Sequence, residues 1–173
     1  MIHFPGKTVN DPDFSSRIKI IQLDNRYCNE ILGLILPIQQ NEFNLPITIS
    51  QQPDLEDIEK YYVKFWGAEV EGKIVGTIGL LSAGQERGAI RKMFVVKEYR
   101  GKEWQVATHL LRHLIEYCRQ QSIADLYLGT IDSLKAAIKF YSKMSFQPIT
   151  RESLPAEFPL MAVDNIFFHL HIS

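Results

Sequence analysis

The stretch Met93 to Leu111, MFVVKEYRGKEWQVATHLL, constrains this chain most, because an apolar strand runs through a short basic turn straight into an amphipathic helix. Trp104, Ala107, Leu111, Leu114, Ile115 and Cys118 recur at helical spacing on one stripe, with Arg112, His113, Glu116, Arg119 and Gln120 opposite. A helix patterned in this way packs one face on a sheet. In its first turn, the N–H groups around Lys102 to Val106 lack intrahelical acceptors and sit at the positive end of the helix dipole, aimed beyond the strand. Arg100 and Lys102 add charge, so the spacing predicts an anion site there.

Upstream, a strand is predicted over Ile18 to Leu23, and Asp24 or Asn25 caps a helix that starts near Tyr27 and runs toward Pro37. Gln39, Gln40, Glu42 and Phe43 fall at or just past its end. Pro53 opens a second helix that runs out near Tyr62, with Asp54, Glu56 and Asp57 in a first turn where negative charge suits the dipole. The period then changes to two. Phe65 to Val70 and Lys73 to Ser82 read as strands joined at Glu71–Gly72, and Gly84 to Gly88 turns the chain into a third over Ala89 to Val96. Arg91 and Lys92 interrupt that last strand on opposite faces, and the simplest expectation for both is a solvated surface.

Beyond the central helix, Ala124 to Gly129 is a buried strand reached through a helix, hence expected parallel to its predecessor. A helix over Ser133 to Met144 carries Leu134, Ala137, Ile138, Tyr141 and Met144 inward. Phe146 to Ile149 begins another strand, and Val163 to Ile172 closes the sheet. Residues 1 to 16 hold several breakers and no periodicity, and read as a loosely held lead-in. The order predicts α/β architecture in a single domain over residues 1 to 173, with a mixed, mostly antiparallel sheet flanked by helices.

Composition narrows the function classes. No apolar run approaches the roughly 20 residues needed to span a bilayer, and the first residues lack a secretory pattern, so the expectation is a cytoplasmic protein. Nineteen basic against twenty acidic side chains give a net charge of −1, which supplies no general field for nucleic acid or a membrane surface. Cys28 and Cys118 lack a paired spacing and are expected as buried free thiols. His109 and His113 sit four apart on the polar side of the helix with no third ligand, so no metal site is expected; His169 and His171 read as surface or edge residues.

The block Arg100-Gly101-Lys102-Glu103-Trp104-Gln105 resembles the phosphate-binding signature of the GNAT superfamily of N-acetyltransferases: Arg or Gln, two variable residues, Gly, one variable residue, then Gly or Ala. Ala136 to Phe146, AAIKFYSKMSF, is similar to that family's A-x-x-F-Y-x-K-x-G-F block, and the order of elements also resembles the family over residues 18 to 172. Glu103, Gln105 and Ser145 stand where those patterns carry glycine. Backbone amides hold a diphosphate whatever the side chain, provided it turns away, so Glu103 is expected to point to solvent or to Arg100.

The resemblance implies a splayed central strand pair, Met93–Val96 against Leu126–Gly129, with acetyl-CoA as acyl donor and its pantetheine arm in the gap. The loop of Arg100, Gly101, Lys102, Glu103, Trp104 and Gln105, with Val106 and Ala107, would hold the donor's phosphates. An N–H near Phe94 or Val95 would donate to the thioester oxygen as it becomes an oxyanion, worth roughly 3 kcal/mol when preorganised. Tyr141, with an ordinary pKa near ~10 against ~8.5 for a thiol, would protonate the departing sulfur. Glu42 is the candidate general base, at a helix end that borders the acceptor pocket in the resembling fold, with Glu69 and Glu86 as rivals.

The expected activity is acetyl transfer from acetyl-CoA to a primary amine, of a small molecule or a peptide, by direct attack on the thioester. Two readings stand beside it: a GNAT-like shell that binds or senses CoA without turnover, and a different α/β phosphate binder that uses the same helix start for a nucleotide. Against the latter, the chain has neither G-x-x-x-x-G-K-[ST] nor G-x-G-x-x-G. Exposed sheet edges offer two copies a way to pair as a homodimer.

Overall fold

Runs of period two become strands wherever turn residues bound them, and seven do so in the computed structural model, which describes residues 13 to 172. They are β1 (Lys19–Gln22), β2 (Lys64–Val70), β3 (Lys73–Ser82), β4 (Arg87–Val95), β5 (Asp125–Thr130), β6 (Gln147–Ile149) and β7 (Ile166–His171). One mixed sheet results, in the order β1-β2-β3-β4-β5-β7-β6. Helices α1 (Cys28–Pro37), α2 (Ile58–Tyr61), α3 (Val106–Gln120) and α4 (Lys135–Lys143) complete the α/β architecture. The long crossover through α3 lets β5 run parallel to β4, whereas β1 with β2, β5 with β7 and β6 with β7 are antiparallel.

The described residues divide into two compact units, one of residues 13–79 and 92–114, the other of residues 80–91 and 115–172. In the first, β1 pairs with β2 from Lys19↔Glu69 to Gln22↔Trp66, and Glu71 and Gly72 turn the chain with φ of 51° and 78°, the double left-handed geometry of a tight hairpin. A Cβ on Gly76 would stand 2.8 Å from Val106 and 3.1 Å from Leu110, so a side chain there would push α3 off β3. Ile31, Ile35, Leu55, Ile58, Phe65 and Ile78 form its core. In the second unit, Leu126 and Leu128 of β5 lie buried with Phe146, Phe168 and Leu170. The β4–β5 ladder there runs from Arg87↔Asp125 to Ile90↔Leu128 only, while β5 continues to Thr130 paired with β7.

Several expectations change. The helix expected from Pro53 breaks into a 3-10 turn at Pro53–Leu55 and the single-turn α2, capped by Asp57, whose carboxylate accepts from the Lys60 N–H at 3.2 Å. Asp54 turns inward and is buried, so it does not serve as a solvated dipole partner. The central helix starts at Val106, not near Trp104, because Gln105 is left-handed with φ 53° and ends the turn before it. Past Pro37, which has no N–H to continue the α pattern, the chain widens into a π-type turn over Ile38–Glu42. Of the expected loose lead-in, residues 1–12 lie outside the described residues, while Phe14 is fixed by its N–H, which donates to the Glu103 carbonyl at 2.9 Å. No helix among the described residues is long and apolar enough to cross a membrane.

Candidate active site

The approach to α3 is built from two left-handed residues. Gly101 has φ 111°, where a side chain is strained, and Gln105 has φ 53°. The Gln105 N–H closes a turn on the Gly101 carbonyl at 3.1 Å, and the His109 N–H makes the first helical bond, to the Gln105 carbonyl at 3.0 Å. The amides of Val106, Ala107 and Thr108 therefore have no acceptor within the helix and face its N-terminal end. Aromatic packing braces the loop: the Trp104 ring lies 5.1 Å from Phe14 and 4.9 Å from Tyr99, with the Arg17 guanidinium 5.1 Å above it. Trp104 thus leaves the helix stripe where periodicity put it and pins the loop instead.

Arg100 faces Glu42, not Glu103. Its Nη1 and Nη2 donate to the two oxygens of Glu42, the second at 2.9 Å, and its Nε donates to the Val95 carbonyl at 2.8 Å. Those hydrogen bonds from Arg100 hold the Glu42 carboxyl below the ordinary carboxylate range, against a smaller opposing effect of burial. A carboxylate so stabilised is a weaker base, and its two hydrogen bonds join the turn after α1 to the loop before α3. Val95 is drawn in through its carbonyl, and the next amide, of Val96, donates to Val75 at 2.9 Å. Phe94 and Lys102 are half-buried and exposed respectively.

Lys92 overturns the expectation of a solvated face. It is 5% exposed, and its φ of 58° inside β4 marks a bulge that breaks strict alternation. The ammonium donates to Gln52 Oε1 and stands 3.7 Å from Asp54 Oδ2, which also accepts from the Tyr62 hydroxyl at 2.5 Å. Gln52 and Gln39 exchange two amide hydrogen bonds of 2.9 Å, and the Thr77 hydroxyl donates to the Lys92 carbonyl at 2.7 Å. Gln39 is therefore part of a buried polar knot. The basic pair Arg91 and Lys92 inside an apolar run was the available signal, but the partners of Lys92 lie some 40 residues away in sequence, beyond the reach of periodicity.

Tyr141, in the other unit, is buried on α4 among the rings of Phe140 and Phe146, each at 5.4 Å, and Phe168 at 6.2 Å. Burial pushes the pKa of its hydroxyl up, so the phenol stays protonated. On β5 and β7, Asp125 Oδ1 binds His169 Nε2 at 2.7 Å and His171 Nδ1 at 3.0 Å, so these histidines are tied at the sheet surface. Cys28 and Cys118 are free; Cys118 is buried and Cys28 half-buried. No three His, Cys, Asp or Glu side chains converge as metal ligands among the described residues.

The model of the Acetyltransferase (GNAT) family matches residues 32–146. A solved GNAT-family acetyltransferase of Staphylococcus aureus MU50 is similar to the chain at 42% identity with a TM-score of 0.86, over 90% of this chain and 99% of that one. Among curated proteins, a probable N-acetyltransferase camello of Xenopus tropicalis is 30% identical over 60% of this chain and 49% of its own length. An N-acetylaspartate synthetase of the same organism is 35% identical over 56% of this chain and 37% of its own. The matched stretch thus spans half or less of these two curated relatives.

Proposed function

The chain belongs to the GNAT family of acetyltransferases, whose acyl donor is acetyl-CoA, and on that premise we propose that it moves the acetyl group to a primary amine by direct attack on the thioester. The observation that carries this reading is the backbone at two of the three motif positions where glycine is replaced. Gln105 and Ser145 have φ of 53° and 72°, so the left-handed turns that glycine would serve persist under other side chains. The start of α3 keeps the geometry of an anion cradle.

On this reading the amides of Val106 and Ala107, with the loop Gly101 to Gln105 and the exposed Lys102, hold the diphosphate, and the Glu103 carboxylate, whose Oε2 stands 3.1 Å from where a Cβ on Gly101 would be, swings off the loop as the diphosphate binds. Arg100, engaged by Glu42 and Val95, shapes the loop. Phe94 or Val95 supplies the N–H for the developing oxyanion, and Tyr141, kept protonated by burial, supplies a hydrogen to the departing sulfur. The partner is a small-molecule or peptide amine, and the near-zero net charge favours no nucleic acid.

Thermal unfolding with acetyl-CoA, CoA, ATP and NAD tests the donor, because a ligand at ~100 times its dissociation constant adds about 2.7 kcal/mol to the native state. A shift with the two CoA forms alone, and CoA release once an amine is added, is the expected result. In that assay Tyr141→Phe slows release while leaving the CoA-induced shift intact. A CoA shift with no release across a broad amine panel would favour the non-catalytic CoA-binding alternative, and a shift with ATP or NAD alone would overturn both.

A further inference from the structure

Near its end β5 carries a glycine, and the space a side chain would occupy there is filled by a carboxylate. A Cβ on Gly129 would lie 2.5 Å from Asp164 Oδ2 and 2.9 Å from its carboxyl carbon, so Asp164 rests directly on the strand backbone. The segment that bears it is anchored at several points. The Asn165 N–H donates to the Thr130 carbonyl at 2.9 Å, and the Asp132 N–H donates to Asn165 Oδ1 at 2.9 Å. The Arg91 guanidinium donates to the Pro159 carbonyl, and Phe158 meets Phe167, the β7 partner of Gly129, edge-on at 6.3 Å.

Two features of that position carry chemistry. The parallel ladder between β4 and β5 ends at Ile90↔Leu128, so Gly129 is the first residue of β5 beyond it. Successive residues of a strand face opposite sides. Phe168, which pairs with Leu128, meets the Tyr141 ring, whereas Asp164 lies over Gly129. The hydroxyl-bearing helix and the carboxylate therefore occupy opposite faces of one strand end. Asp164 is half-buried, which lowers the local dielectric around it.

We propose that Asp164 receives the ammonium of the acceptor and acts as its general base, an inference that rests on the transferase reading above. The carboxylate takes one proton from R–NH3+, and the freed lone pair forms the N–C bond to the thioester carbon. The C–S bond breaks, the thiolate takes the Tyr141 hydroxyl proton, and the cationic amide nitrogen gives its extra proton back to the phenolate. Asp164 then releases its proton to water, so the sum is amine cation plus thioester to amide, thiol and one proton. A carboxylate in this place selects an amine that arrives as a cation, with no acidic group beside it: an alkylamine, diamine or lysine-type side chain in preference to an α-amino acid.

The test measures CoA release by the full chain from acetyl-CoA with n-butylamine, a diamine and glycine. Wild type is expected to use the first two in preference to glycine. Asp164→Asn is expected to lower kcat/KM for the amine by roughly 10²-fold, to leave the acetyl-CoA dissociation constant within about twofold, and to make the rate climb with pH toward the pKa of the amine itself. Gly129→Ala keeps the carboxylate but displaces it, and is expected to lose about tenfold; Asp164→Glu restores part of the rate and secures the test should Asp164→Asn fold poorly. An active wild type with Asp164→Asn or Gly129→Ala unchanged in rate and pH profile overturns this inference alone. A wild type inactive on every amine overturns the transferase reading and this inference with it.

Discussion

Ser145 takes φ 72° one residue beyond the cap of α4, the position where a helix end favours glycine. The surrounding bonds are those of a Schellman close: the Phe146 N–H donates to the Tyr141 carbonyl at 3.1 Å, the Ser145 N–H to the Ser142 carbonyl at 3.2 Å, and the Phe146 and Tyr141 rings meet at 5.4 Å. Serine bears the steric strain of a left-handed backbone there, so Ser145→Gly is expected to stabilise the protein by about 0.5–1 kcal/mol, measured as a rise of roughly 2 °C in Tm. Lys92 presents the opposite case. Lys92→Met leaves Asp54 charged and buried beside Tyr62, which is expected to lower stability by about 3 kcal/mol or more in urea titrations. Adding Asp54→Asn removes the stranded charge and recovers part of that loss; a double variant no better than the single one would mean that the ion pair is not what the site protects.

At the scale of elements, the Glu42–Arg100 pair ties the π-type turn after α1 to the loop that opens α3. Glu42 also places a negative charge beside a loop suited to anions. Glu42→Gln is therefore expected to tighten CoA binding a few-fold at low salt, with the gain fading at high salt, and to leave amine-dependent kcat within about threefold. A collapse of kcat would return the role of base to Glu42. Elements that depend on local chemistry were legible from residues alone: β3 falls on Lys73–Ser82 as expected because its period and the Glu71–Gly72 turn agree, and the Asp24 carboxylate accepts the Arg26 N–H at 3.0 Å at the head of the first helical segment. What escaped depends on distant partners. Asp54 reads as a first-turn acid until Tyr62 and Lys92 are placed against it, and Asp164 falls in the run Val163 to Ile172 that reads as the last strand, whereas that strand starts at Ile166 and Asp164 lies over Gly129. The start of α3 misplaced itself by two residues because nothing in Trp104 or Gln105 announces a left-handed backbone.

Across the whole molecule, the shifted groups define a dome of stability against pH. On the acid side, hydrogen bonds from Arg26 and Arg100 hold Asp24 and Glu42 low, and in Asp125 burial is outweighed by the hydrogen bonds from His171 and His169. A carboxyl depressed in the fold contributes stability above its unfolded value, near ~4, and that contribution is lost as pH falls through the folded one. Desolvation also depresses His113. Below about pH 6.5 the unfolded chain takes up that proton before the folded one does, so stability begins to fall there. On the alkaline side the sign reverses, because burial raises Cys118 to about 12 and raises Tyr141 as well. These groups stay protonated in the fold while the unfolded chain ionises, so their contribution is full below about pH 8.5 for the thiol and 10 for the phenol, and declines above those values. The urea midpoint is expected to be highest between about pH 7 and 8.5, to fall first from 6.5 and again below 4, and to fall beyond 8.5. Cys118→Ala should abolish the part of the alkaline decline that begins near 8.5 and leave the acid limb in place. A wild-type midpoint that stays level from pH 8.5 to 10 would place the Cys118 thiol in contact with water, contrary to its burial on the inner face of α3.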